Sequence, residues 1–174
     1  MKSILLGALL LVSLRAHSQF TSAELGVDGL TCSMCARSVE MSIRRLPFVK
    51  EVTVDLRATT MKVEFKKGQP VNIEKLASSV DDAGFTVRSL RASYIFNNMS
   101  AADGACFTQD GASYDFVGTG RKVLNGETVL KFIGDQYLSS DELAKWTPLL
   151  KSNCKEQGLK SYFVTPSWEK EVYN

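Results

Sequence analysis

Alternation and helical spacing of apolar residues divide the first half of the chain into six elements. Leu25 and Val27 alternate as in a strand, and Ala36, Val39, Ile43 and Leu46 then recur at the three- and four-residue spacing of one helix face. That helix should stop before Pro47, because the residue preceding a proline is pushed out of the helical region. Val52, Val54 and Leu56 alternate in a second strand and Met61, Val63 and Phe65 in a third, with Arg57, Ala58 and Thr59 available for the turn between them. Asn72 can cap a second helix whose apolar face is Ile73, Leu76, Ala77 and Val80, and Val71 can pack on Leu76 as a hydrophobic staple. Gly84 can close that helix in a left-handed conformation, and Phe85 to Leu90 form a last strand. The order is βαββαβ.

That order predicts an α+β fold, a ferredoxin-like βαββαβ sandwich with two helices on one face of a four-stranded antiparallel sheet. After it we expect a small mainly-β extension with one helix. Tyr94–Phe96, Tyr114–Val117 and Thr128–Ile133 read as strands, and Gly134-Asp135 as a turn leading back through Gln136, Tyr137 and Leu138. Ser139 to Glu142 has the spacing of a capping box and opens a helix containing Leu143, Trp146, Leu149 and Leu150, kinked or shortened by Pro148. Residues 97–111, rich in small and polar side chains, are expected as loop, and the segment after Gly158 as loosely packed. The expected organisation is a leader at 1–18, a first domain at 23–91 and the extension at 92–174.

Composition is that of a chain that folds: 44% of its residues are apolar and 23% charged, enough apolar material for a core without a low-complexity tract. The first eighteen residues stand apart. Lys2 precedes an apolar run from Ile4 to Leu14, and Ala16-His17-Ser18 has small residues at the positions a signal peptidase reads. The run is well short of the ~20 residues needed to span a bilayer, so a cleaved secretory leader is expected rather than a stable membrane anchor. Such a protein is periplasmic or secreted. Cleavage removes Lys2 and Arg15, leaving 19 basic residues against 19 acidic ones. A nucleic-acid partner is then not expected, because phosphate binding needs clustered uncompensated Lys and Arg. The single histidine, His17, leaves as well. Catalysis by a Cys-His or Ser-His pair and His-assisted metal binding go with it, so the metal chemistry must rest on sulfur or carboxylate.

Residues 29–35 read Gly-Leu-Thr-Cys-Ser-Met-Cys. Cys32 and Cys35, where a strand ends and a helix opens, can turn both sulfurs toward one exposed point. A helix amino terminus favours the thiolate, which is the form that binds metal. Two thiolates without imidazole suit an ion content with two-coordinate sulfur ligation: Cu(I) first, with Hg(II) fitting the same description. The same pair could instead form a redox disulfide, as a C-x-x-C at a helix start does in thioredoxin-like proteins. Met34 lies between the cysteines and is expected to point to solvent.

The segment from about 23 to 91 resembles the heavy-metal-associated domain of copper chaperones, metal-exporting P-type ATPases and the periplasmic mercury-binding protein. The likeness rests on the Gly29–Cys35 loop, on Cys35-Ala-Arg-Ser-Val39, on Leu46-Pro47, on Val52-Thr-Val-Asp55 and on Asp82-Ala-Gly-Phe85. Leu30 stands where the family has a methionine that packs inward, so the resemblance implies a buried packing role for it. It also implies an outer-shell role for Phe85 near the metal loop. Zinc- and cadmium-selective members often carry an acidic residue beside the first cysteine; Thr31 is not acidic, which leans away from Zn(II) and leaves Hg(II) open. The implied function is non-enzymatic: holding the ion and passing it to a metal-donor or acceptor protein. A thiol-disulfide oxidoreductase and a sensor or docking module are the alternatives.

Cys106 and Cys154 remain. In an oxidising compartment a structural disulfide between them is the default, worth on the order of 4 kcal/mol for so long a loop, with a second metal site or free thiols as the other readings. Trp146, Trp168, Tyr162, Phe163 and Tyr173 are assigned to core packing in preference to a partner surface.

Overall fold

In the computed structural model, described for residues 19–151 and 158–167, the six expected elements appear in order. They are β1 (Phe20–Asp28), α1 (Ser33–Arg44), β2 (Val49–Asp55), β3 (Thr60–Phe65), α2 (Ile73–Asp81) and β4 (Thr86–Ala101). Local chemistry accounts for the boundaries. Asp55 Oδ1 accepts from the backbone N–H groups of Arg57 and Ala58 and shapes the β2–β3 turn, where Thr59 has φ +51°. Asn72 Oδ1 accepts from Lys75 N at the start of α2. Gly84, at φ +85°, ends it, with Phe85 N returning to Val80 O. Ala36, Val39 and Ile43 of α1 and Ile73, Leu76, Ala77 and Val80 of α2 are buried, as the helical spacing requires.

The chain continues through β5 (Cys106–Gln109), β6 (Ala112–Phe116), β7 (Lys122–Ile133), α3 (Ser140–Trp146), a 3-10 turn at Thr147–Leu149, and β8 (Lys160–Ser167). All eight strands form one sheet in the order β2-β3-β1-β4-β7-β8-β6-β5. Several expectations are corrected here. The strand expected to end at Leu90 and the one expected at Tyr94–Phe96 are a single strand, β4, which runs on to Ala101; residue 91 therefore lies within it. It pairs with β1 through its first part and with β7 from Arg91 to Ala101. Residues 97–111 are not all loop, because they contain the end of β4, all of β5 and the tight β5–β6 turn at Asp110 and Gly111, both at positive φ. Gln136 to Leu138 form a turn and not a strand. The segment after Gly158 contains β8, an inner strand paired with β7 on one side and parallel to β6 on the other.

The face of the sheet covered by α1 and α2 carries one core throughout, from Leu25, Val39 and Leu76 to Phe116, Phe132 and Val164. In the second half it is largely aromatic. Phe107 on edge strand β5 lies 4.8 Å from Tyr94 and 5.4 Å from Phe96 on β4, although three strands separate β5 from β4, so the sheet curls over these rings. Asp110 Oδ2 accepts from Val71 N and fastens the curled hairpin to the start of α2. On the opposite face α3, capped by Ser139 and stopped before Pro148, lays Leu143 and Trp146 over Val117, Ile133 and Leu138. Tyr162 is buried and Phe163 packs on this second cluster, so the packing assignment holds for them and for Trp146. The calls on residues 1–18, Cys154, Trp168 and Tyr173 lie outside the described residues. Among the described residues no helix is long and apolar enough to cross a membrane.

Candidate metal centre

The turn from β1 into α1 is built from residues 28–35. Gly29, at φ +80°, allows the chain to double back, and Thr31 N donates to Gly29 O at 2.8 Å. A β-carbon on Gly29 would sit 3.6 Å from Cδ1 of Phe85, so the bare glycine backbone lies against the half-buried phenyl ring. This is the structural content of the role expected for Phe85: it props the loop from beneath. Leu30 is 1% exposed and anchors the loop in the core, the inward packing role implied for it.

Cys32 is the residue that caps α1. Its backbone is extended, at φ −137° and ψ 154°, and its Sγ accepts from Cys35 N at 3.1 Å. Cys35 follows inside the first turn, with its Cα 5.2 Å from that of Cys32. The two sulfurs are joined as a disulfide, so the thiol pair is reached by a two-electron reduction. Cys32 is exposed and Cys35 half-buried. The backbone N–H groups at the start of α1 and the helix dipole favour negative charge at this point, which supports thiolate once the pair is reduced. Met34 is 85% exposed, pointing into solvent as expected.

The surroundings supply no harder donor. The first turn of α1 has no acidic residue. The acid further along, Glu40, is held by Arg44 at 2.7 Å and Arg37 at 3.4 Å, and the Arg44 hydrogen bond keeps its carboxyl below the usual 4.5. Asp28, at the end of β1, lies 3.7 Å from Arg88. Arg88 also donates to Thr59 Oγ1, tying the β2–β3 turn to the strand beside the loop. Sequence reading did not single out this arginine, and its only local signal is a basic residue among the outward positions of β4. Among the described residues no three His, Cys, Asp or Glu side chains gather around a common point. Two sulfurs at an exposed helix start can therefore hold a soft ion in low coordination or exchange a disulfide; Cys106, half-buried on β5, belongs to a different part of the sheet.

Comparison with known proteins places this loop in context. Residues 24–86 match the family described as the heavy-metal-associated domain. Copper-transporting ATPase 1 of Rhizobium meliloti is 36% identical over 70 residues, 40% of this chain and 8% of that protein. The probable copper-transporting ATPase HMA5 of Arabidopsis thaliana is 37% identical over 59 residues, 34% of this chain and 6% of that protein. The chain thus spans less than a tenth of the length of either relative. The oxidized MerP of Ralstonia metallidurans CH34, 28% identical, aligns with 39% of this chain and 96% of its own, with a TM-score of 0.36.

Proposed function

We propose, from the match of residues 24–86 to the heavy-metal-associated domain family, that this chain is an exported carrier that holds Cu(I) between the thiolates of Cys32 and Cys35 and passes it to a partner protein. The observation that carries the reading is the capping geometry: Cys32 Sγ accepts from the backbone N–H of Cys35 at the opening of α1, and Cys35 itself lies in that first turn. The fit to copper rests on the donor set, two soft sulfurs with no acidic residue in that turn, and agrees with the copper named for the two ATPases. Transfer needs room for an incoming thiol. Exposed Cys32 leaves that room, so the ion could pass through a shared-ligand intermediate without the domain unfolding. Hg(II) is the nearest competitor on the same donors, followed by Zn(II) and Cd(II).

The test is anaerobic competition on the reduced chain without residues 1–18, with Cu(I), Hg(II) and Zn(II) offered together. One Cu(I) per chain is expected, with tight binding lost in the Cys32→Ser/Cys35→Ser double variant. Stoichiometric Cu(I) on that variant would show that the site is elsewhere. The joined sulfurs favour one second reading, a thiol-disulfide oxidoreductase using exposed Cys32 as the attacking thiolate. Catalysed disulfide exchange by the metal-free protein would select it. Export is tested by mass spectrometry of the protein from its native host, which should begin at Gln19.

A further inference from the structure

At the end of the sheet remote from the cysteine loop, β1 and β2 each carry one extra residue. Between Phe20 and Ser22 strand β1 advances two positions while β4 advances one, so Thr21 is bulged; between Val49 and Glu51 the same count against β3 makes Lys50 the bulged residue. Bulges re-aim side chains and tend to occur beside binding sites. Both extra residues line one depression of about 620 Å³, together with Lys62, Lys67, Ile95 and Gly68. That volume is in the range of small-ligand pockets, roughly 300–1,000 Å³.

The lining has a definite chemistry. Phe20 and Phe65 close its floor, and Ile95, 47% exposed, is an apolar side chain on a face that also carries the cross-strand pair Ser22 and Ser93. Three lysines meet two glutamates, leaving one net positive charge. Glu64 is taken by Lys50 at 2.9 Å, and Glu127 accepts from Thr21 Oγ1 at 2.7 Å. Lys62 acts on Glu64 only through space, its charge helping Lys50 to hold that carboxyl below its usual range, and neither Lys62 nor Lys67 makes a direct ion pair among the described residues. An apolar floor beneath a lining of one net positive charge matches an amphipathic monoanion.

We propose that this depression binds a free medium-chain carboxylate, its charge met by Lys62 and Lys67 and its alkyl body laid against Ile95. The site is independent of the metal reading, since it lies at the opposite end of β1 from Cys32. The experiment is an amide chemical-shift titration of the chain without residues 1–18, using octanoate, with octanol and acetate as controls. Octanoate should shift the amides of Thr21, Gly68 and Ile95 and leave those of residues 29–35 unmoved, while octanol and acetate bind at least about tenfold more weakly. Lys62→Gln and Lys67→Gln should each weaken octanoate about two- to fivefold, the range expected of exposed charge pairs, and Ile95→Ser should weaken it further. All three side chains are exposed, so the variants should fold. The proposal is overturned if octanoate leaves those amides unmoved, if octanol binds as well as octanoate, or if the double lysine variant binds unchanged.

Discussion

Replacing Leu130 with alanine tests whether the two halves of the sheet are one cooperative unit. Leu130 is fully buried on β7 and stands opposite Ala92, in the part of β4 just past the residues that pair with the end of β1. Truncating a buried leucine removes its transfer free energy and leaves a cavity, about 3–5 kcal/mol when surrounding strands cannot collapse. Strands β4 and β8 flank β7 on both sides and hold its backbone in place, so the cavity stays open and the cost should fall near the upper end, about 5 kcal/mol. For a chain of this size each kcal/mol moves the melting temperature by about 2–4 °C, which puts the expected drop at about 10–20 °C. Trp146 packs on Val117, Ile133 and Leu138, so in a Trp168→Phe background its fluorescence follows the second half alone. Hydrogen exchange of peptides from β1 and β3 follows the first. Because β4 belongs to both, Leu130→Ala should raise exchange in both sets by the same free energy, and the fluorescence midpoint in urea should fall in step. Unchanged protection in β1 and β3 beside a destabilised second half would refute the shared-strand argument.

Two further outcomes follow from particular contacts. Gly118 sits at φ +63°, and a β-carbon there would come within 2.8 Å of Cζ3 of Trp146, so Gly118→Ala should cost about 1–3 kcal/mol and alter tryptophan emission by displacing that ring; thermal melts with emission spectra check this. Asp55 accepts hydrogen bonds from the N–H groups of Ala58 and Arg57, which hold its carboxyl below the usual 3.8. A depressed folded value contributes stability that is present above pH 3.8 and lost as pH falls through the folded value, so Asp55→Asn should destabilise the protein at neutral pH and flatten its pH dependence below that point. Parallel urea titrations between pH 2 and pH 6 would show it, and identical pH profiles for the two proteins would count against the turn as a source of acid sensitivity.

How much of this was legible varied with how local the signal was. The loop at residues 29–35 could be placed because its constraints are adjacent in the chain: a glycine at positive φ, a capping residue and a buried leucine. The amphipathic helices and the β2–β3 pair were readable for the same reason. The joining of Phe85–Leu90 to Tyr94–Phe96 was missed although Arg91, Ala92 and Ser93 contain no glycine or proline to break a strand. What obscured it was phase. Val87 and Leu90 both face the core because Arg88 is an extra residue opposite the Gly26–Val27 step, and the pairing slips again between Phe96 and Met99. Simple alternation fails at each bulge. Asp110-Gly111 carried a strong hairpin signal, but the polar residues before it made the whole stretch look like loop. Strand β8 had the weakest signal, since its place between β7 and β6 depends on a parallel pairing with residues nearly fifty positions away.

The same topology explains why the second half does not obstruct the cysteine loop. Asp28, which leads into that loop, pairs with Thr86 at the very start of β4, whereas the pairing of β4 with β7 begins at Arg91. The added strands are therefore built on the far part of β4, and the curl that brings Phe107 over Tyr94 and Phe96 directs them toward the start of α2, where Asp110 takes the N–H of Val71. Had the extra sheet grown from the opposite edge, beside β2, it would have extended the side where α1 packs and left less room around Cys32. Placed as it is, a bulky second half adds apolar core to the fold while Cys32 and Met34 stay exposed, which the proposed hand-over of an ion to another protein requires.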